Sequence, residues 1–310
     1  MYSDYQIVEN IDDNCIFNFE RYLFNEPSHL ASQPCEDFTT FYLRQNNLVL
    51  ARWSIFFEKN TAFSPYVGTF GSIEFAIDLN KNLLNRFIQQ VEKKLIERDI
   101  NQITIKHYPF CYQNKNSEIL TKCLLDNNYQ TEIANLNFHI NITDYAFEKI
   151  IKPSEKRRIN KCISNGFYFN EEINPDLLQV YNFIKESRER KGFPISLPYK
   201  KLEELFFQFR KSFKVFTIND QKNIIALTIV IHINDKILYN FYPADCEKYL
   251  KFSPMVQLIE GLYNFCQENK IEILDMGIAT DKGVPNFGLI KFKENIGAQP
   301  SLKLSFKKLF

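Results

Sequence analysis

Apolar runs and turn residues alternate most clearly in the second half of the chain. Residues 213–219 read as a strand, and Asn219-Asp220 marks the turn after it. Residues 224–233 form a run rich in β-branched side chains that ends at Asn234-Asp235, and 237–242 read as a third strand. Ser253-Pro254 has the form of a helix start, with Ser at the N-cap and Pro at the first helical position, where its missing N–H costs nothing. Val256, Ile259, Leu262, Tyr263 and Cys266 recur at helical spacing to about Asn269. A short strand over 271–276 follows, then a helix over 286–295 that stops at Gly297, and 301–310 close as a strand. The first half repeats part of this order. A helix over 83–98 carries Leu84, Phe87, Ile88, Val91 and Leu95 on one face, followed by a strand over 102–106, a helix over 117–125 and a strand over 134–142. Ile103 and Ile273 lie 170 positions apart, and the helix stops at Asn128 and Gly297 lie 169 apart. Two matched offsets over one helix–strand–helix–strand order predict a duplicated domain. The joint falls in a long polar helix over 145–165 that contains Lys156, Arg157, Arg158 and Lys161.

Composition removes several function classes. Only 9 of 310 residues are glycine and no G-x-G occurs, so the chain has neither a dinucleotide fingerprint nor a phosphate-binding P-loop. Its 7 cysteines contain no C-x-x-C, and free thiols in a reducing compartment are expected. The first residues, MYSDYQIVENIDD, hold no apolar signal segment, and the longest apolar run is about half a membrane span. A soluble, cytoplasmic chain without a membrane span is expected. The net charge is +1, which argues against a large continuous groove for DNA or RNA. The charge is uneven, with 13 Lys+Arg against 19 Asp+Glu in residues 1–150 and 25 against 18 in 151–310. Such a split predicts halves that attract each other or a basic half that meets an anionic ligand.

The β-β-β-helix-β-helix-β order of the second half resembles the GNAT acyltransferases. Their closing helix, N-x-x-A-I-x-L-Y-E-K-x-G-F, is matched in register by Asn286, Leu289, Ile290, Phe292, Lys293, Glu294, Asn295, Ile296, Gly297 and Ala298. The tyrosine slot, the general acid of many GNAT enzymes, holds Lys293, and the final Phe slot holds Ala298. Three stretches are similar to the tandem-GNAT Fem (FemABX-like) family. They are Phe63-Ser64-Pro65 with Phe70-Gly71, the basic helix Lys156-Arg157-Arg158-Ile159-Asn160-Lys161 with Asn165-Gly166, and the closing F-K-x-x-x-G at Phe292 to Gly297. The resemblance implies an α/β (α+β) fold of two tandem GNAT-like domains, each a mixed, mostly antiparallel sheet flanked by helices. Residues 1–145 would be a degenerate domain, with Cys123-Leu124 at its tyrosine slot, and 146–310 the acyltransferase domain. It further implies a bacterial enzyme that moves an acyl or aminoacyl group from acyl-CoA (acetyl-CoA) or aminoacyl-tRNA to an amine. The acceptor, a small molecule or cell-wall precursor, would enter the inter-domain cleft.

Acyl transfer to an amine requires a held carbonyl, a base for the amine proton and a stabilised leaving group. On the GNAT pattern Phe241, Tyr242, Pro243 and Ala244 supply backbone groups to the donor, and Pro243, lacking an N–H, interrupts strand pairing there. Acyl-CoA-binding members place Q/R-x-x-G-x-G/A in the next loop, but here Asp245 to Ser253 holds no glycine. Lys248, Lys251 and the helix start at Ser253–Met255 are then the expected phosphate contacts. Tyr239 and Tyr242 are candidate proton donors. Asp275, in I-E-I-L-D-M-G, is a candidate base or amine anchor, or else the cap of the turn at Gly277. Lys293 is a candidate for leaving-group stabilisation. Arg157 and Arg158, and Arg188 and Arg190 before Gly192-Phe193-Pro194, are candidate anion contacts, with solvated helix faces as the alternative. The four histidines show no ligand spacing, so no metal is expected, and His139 and His232 read as satisfied core residues. No G-x-S-x-G elbow occurs, so a serine hydrolase is unsupported. The competing reading is a non-catalytic tandem-GNAT protein that binds a ligand or partner. The missing glycine loop and tyrosine favour it; the basic and aromatic segments oppose it.

Overall fold

The computed structural model describes residues 5–12 and 14–310. The chain divides into two compact units: residues 1–137 with 280–284 and 301–310, and residues 138–279 with 285–300.

In the first unit the sheet runs in the order Tyr5–Val8, Phe38–Gln45, Leu48–Glu58, Thr61–Ser64, Gln102–Lys106 and residues 301–309. Pairing along this path is antiparallel except between Thr61–Ser64 and Gln102–Lys106, which is parallel. Helix Lys81–Glu97 begins at Asn80, whose side-chain oxygen accepts from the Asn82 N–H at 2.8 Å. The helical spacing of Leu84, Phe87, Ile88, Val91 and Leu95 places them in one buried core with Trp53, Ile55, Ile103 and Ile105. Leu304 and Phe306 belong to the same core. Here the F-S-P and F-G residues act as packing. Ser64 Oγ donates to Ser54 O at 2.8 Å and accepts from the Ser72 N–H at 3.0 Å, and a Cβ at Gly71 would lie 2.6 Å from Pro65 N.

The second unit repeats the plan. Its sheet runs Tyr168–Glu172, Phe213–Asn219, Ile224–Asn234, Ile237–Asn240, Ile273–Ile278 and then residues 138–141. A parallel pair again forms just after the long hairpin, between Ile237–Asn240 and Ile273–Ile278. Helix Pro254–Glu268 buries Val256, Leu258, Ile259, Leu262, Tyr263 and Cys266. Each such aliphatic or aromatic side chain gains roughly 1.5–3 kcal/mol on burial. Helices Leu177–Arg190, Tyr199–Gln208 and Phe287–Asn295 complete the set. Each unit is thus a mixed, mostly antiparallel sheet flanked by helices.

Three expectations need correction. The units do not divide at 145/146 with everything after it in the second. The C-terminal strand Gln299–Leu309 pairs from Ser305 to Leu309 with Gln102–Lys106, and from Ser301 onward it belongs to the first unit. The long helix over 145–165 is a 3-10 turn, Phe147–Lys149, and a separate helix, Pro153–Ser164, because Pro153 has no N–H to continue an earlier turn. The strand over 237–242 stops at Asn240. The N–H groups of Phe241 and Tyr242 both donate to Ile229 O, at 3.0 and 3.1 Å, and pairing resumes only past Pro243, where Ala244–Asp245 meets Ala226 and Leu227.

Candidate active site

The parallel pairing of the second unit ends at Tyr239 opposite Asp275, although the strand carrying Asp275 continues to Ile278. Three side chains close around that end. Asp275 is 1% exposed, and its Oδ1 accepts from the Gly277 N–H at 2.8 Å. The Tyr239 ring lies over Gly277, where a Cβ would sit 3.4 Å from Cε2. Gly277 has φ +72°, which disfavours a side chain there independently. Lys293, on helix Phe287–Asn295, reaches in from the other side and donates from Nζ to Gly277 O at 2.8 Å and Ile278 O at 2.9 Å. That helix is oriented by its N-cap, Asn286, whose Oδ1 accepts from the Leu289 N–H at 3.0 Å.

Electrostatics couple the cluster. Burial lowers the Lys293 pKa to about 7, and the Asp275 carboxylate acts against the shift. Burial, with Asp275 adding to it, raises Tyr239 well above the ordinary phenol range. Burial lowers His139, again opposed by Asp275. A neutral Lys293 spends its two N–H groups on the two carbonyls and keeps its lone pair, the arrangement of a proton acceptor. His139 is buried in the core as expected and is hydrogen-bonded to the Gln299 backbone, but among the described residues its Nδ1 has no hydrogen-bond partner, and it lies within the field of Asp275. His232 Nε2 is likewise unpartnered. The alternation of the strand Gln130–Asn141 is the only sequence signal for His139, and alternation does not reveal which strand lies alongside.

Another set of contacts surrounds Tyr242. Its hydroxyl shares a 2.6 Å hydrogen bond with Ser196 Oγ, and the Arg188 guanidinium lies 5.4 Å from its ring centroid. Burial raises the Tyr242 pKa, while Ser196 and Arg188 act against the shift. Phe241 packs on Tyr242 with centroids 4.0 Å apart and on Tyr239 at 5.7 Å. Ala244 is buried. Arg190 is tied elsewhere. It pairs with Asp245, which also takes Lys191 at 2.8 Å and Ser187 Oγ at 3.1 Å.

The remaining candidates lie on the loop and on the basic helix. Residues 247–252 form a 3-10 turn, and Lys248 and Lys251 are exposed. Lys251 Nζ sits 5.0 Å from the Phe252 ring, and its carbonyl accepts from Lys161 Nζ at 2.8 Å. Among the described residues no hydrogen bond or ring contact joins Lys248 or Lys251 to Tyr239, Tyr242, Asp275 or Lys293. Ser253 adopts φ +59° and its N–H donates to Leu250 O. Pro254 has no N–H and the Val256 N–H returns to Ser253 O, leaving Met255 as the donor at that helix end. Arg158 pairs with the buried Glu155 at 2.8 Å, and Arg157 is exposed. Among the described residues no group of three or more His, Cys, Asp or Glu is placed to hold a metal, and no helix is long and apolar enough to cross a membrane.

No known protein family matches the sequence, and no curated relative does. Solved structures do match. One is FemX, with TM-score 0.73 at 11% identity over 93% of this chain and 92% of that one. Another is L-PGS from Bacillus licheniformis, with TM-score 0.55 at 13% identity over 91% and 86%. A third is a tandem GNAT protein from the clavulanic acid biosynthesis pathway, with TM-score 0.51 at 10% identity over 89% and 84%. The chain therefore has a Fem-like tandem GNAT fold.

Proposed function

We propose that the protein is an N-acyltransferase whose second unit carries the reaction, with an aminoacyl ester of tRNA as the donor. The observation that carries this reading is Lys293, buried beside Asp275 where the parallel strands stop pairing, and titrating at about 7. In this scheme the acceptor amine attacks the ester carbonyl carbon, a C–N bond forms, and the C–O bond to the ribose breaks. The amine proton passes to neutral Lys293, and the departing alkoxide takes a proton from Lys293 or Tyr239. Asp275 holds the Gly277 turn and favours the protonated state of Lys293 during transfer. Tyr242, with Ser196 and Arg188, lines the approach. The ester is favoured over acyl-CoA because the helix start at Ser253–Met255 offers few backbone N–H groups for a pyrophosphate. The amine of a cell-wall precursor peptide is the acceptor class that the Fem-like fold supports.

The test supplies aminoacyl-tRNA or acetyl-CoA, each labelled in the transferred group, together with a lysine-containing cell-wall precursor peptide. Label is expected on the peptide amine from the tRNA donor, and Lys293→Met should reduce it roughly a hundredfold or more, the usual scale for a general base. Transfer from acetyl-CoA alone would reassign the donor. Transfer from neither, with donor binding retained, would favour the non-catalytic reading.

A further inference from the structure

A groove of about 360 Å³ lies on the second unit between helix Pro254–Glu268 and the strands Tyr168–Glu172 and Phe213–Asn219. The strand Ile224–Asn234 separates it from the strands that carry Tyr239 and Asp275. Its walls are aromatic. Phe169 and Phe216 stack with centroids 5.3 Å apart, and Phe216 meets Phe265 edge-on at 4.8 Å. Gly261 makes the wall, since a Cβ there would lie 2.1 Å from the Phe169 ring.

The charged groups lining the groove are the carboxylates of Glu171, Glu260 and Glu268, beside the amides of Gln257 and Asn264. Glu171 is paired with Lys214, whose Nζ stands 5.5 Å from the Phe265 centroid, so one ammonium of the chain already occupies a carboxylate-and-ring position here. Glu260 and Glu268 have no such cation among the described residues. Burial, with the nearby Glu148, raises Glu260 to about 6. Gln257 supplies a separate observation. It is 6% exposed, its Nε2 donates to Phe167 O at 2.9 Å, and that bond fixes the amide with Oε1 lacking any donor among the described residues. A buried acceptor left unpaired in a polar, roomy groove is an unmet donor site.

We propose that this groove binds an organic ammonium ion, a primary amine on a hydrocarbon body. Its N–H groups meet Gln257 Oε1 and the Glu260 and Glu268 carboxylates, and its body lies on the rings of Phe169 and Phe265. A free inorganic cation would leave the aromatic walls unused, and a neutral ligand would leave the carboxylates unpaired. The site is independent of the donor chemistry proposed above.

Calorimetric titration of the full chain with benzylammonium chloride, at a pH about one unit above the Glu260 value, tests this. Saturable binding at one ion per chain is expected, with benzyl alcohol, the neutral compound of similar shape, roughly tenfold weaker. Glu260→Gln with Glu268→Gln should weaken the ion about tenfold, and Glu268→Gln alone, at an exposed carboxylate, about threefold if the double variant does not fold. Asp275→Asn should leave binding unchanged. Absence of saturable binding, equal binding of the alcohol, unchanged binding in the glutamine variants, or loss in Asp275→Asn would each overturn the assignment.

Discussion

A charged lysine enclosed by protein is destabilised relative to water, and Lys293 carries that penalty into the pH dependence of folding. Its folded pKa is about 7 against an unfolded value of 10.5. Between those values the unfolded chain holds one more proton than the folded chain, so this residue makes stability rise with pH across the window. The penalty is full below about 7 and fades as pH climbs toward the unfolded value. Urea unfolding from pH about 7 to about 8.5 should therefore show a contribution of about 1.4 kcal/mol per pH unit. Lys293→Met should remove it, and an unchanged slope in the variant would refute the assigned shift. Under the proposed chemistry the same titration sets the pH profile, with kcat/KM expected to rise tenfold per unit below about 7 and level above it. That Tyr239, Asp275 and Lys293 lie together around Gly277 was legible in the sequence because motif order places them on adjacent elements. His139 was not, because its tie to Asp275 depends on which strand lies beside residues 273–278. Arg158 and Arg190 looked free as sequence positions, yet each is spent on a nearby carboxylate, Glu155 and Asp245.

At the scale of single elements, helix Pro254–Glu268 carries two constraints. At its middle, Gly261 lies under the Phe169 ring, with the ideal Cβ 2.1 Å from the nearest ring carbon. Gly261→Ala must push the ring off the helix, at about 1–3 kcal/mol. Chemical unfolding followed by circular dichroism reads this directly, and a loss below about 0.5 kcal/mol would show that the ring moves freely. Before its start, the loop 245–253 holds no glycine, and Lys248 and Lys251 are exposed. Coenzyme A affinity is accordingly expected to be low and to fall steeply with salt, and Lys251→Ala should weaken it roughly fivefold. Tight binding that ignores ionic strength would place the phosphate elsewhere. Periodicity located this helix, and it located Phe213–Asn219 and Gln102–Lys106 to the residue. It overran at Asn240, where the apolar residues Phe241 and Tyr242 continue the pattern while both their N–H groups converge on Ile229 O.

For the molecule as a whole, the duplicated plan was visible in the 169- and 170-residue offsets, but the membership of the last strand was not. Sequence proximity assigns residues 301–310 to the second unit; the hydrogen bonds of Ser305 to Leu309 with Gln102–Lys106 assign them to the first. Nothing in an alternating strand names its partner, since any edge of matching polarity accepts it. The consequence is testable because the chain's single tryptophan, Trp53, is fully buried in the first unit's core, together with Leu304 and Phe306. Tryptophan emission therefore reports unfolding of that unit. Phe306 is fully buried opposite Ile105, so Phe306→Ala removes a large ring from the core around Trp53. The expected cost is about 3–5 kcal/mol. It should appear as an earlier transition in tryptophan emission, although residue 306 lies more than 250 positions along the chain from Trp53. Removing residues 301–310 should go further, since it also breaks the 2.7 Å pair of Lys308 with Glu92 and bares the edge of Gln102–Lys106. A Trp53 transition that stays in place in Phe306→Ala would return the last strand to the second unit, where the sequence alone would have put it.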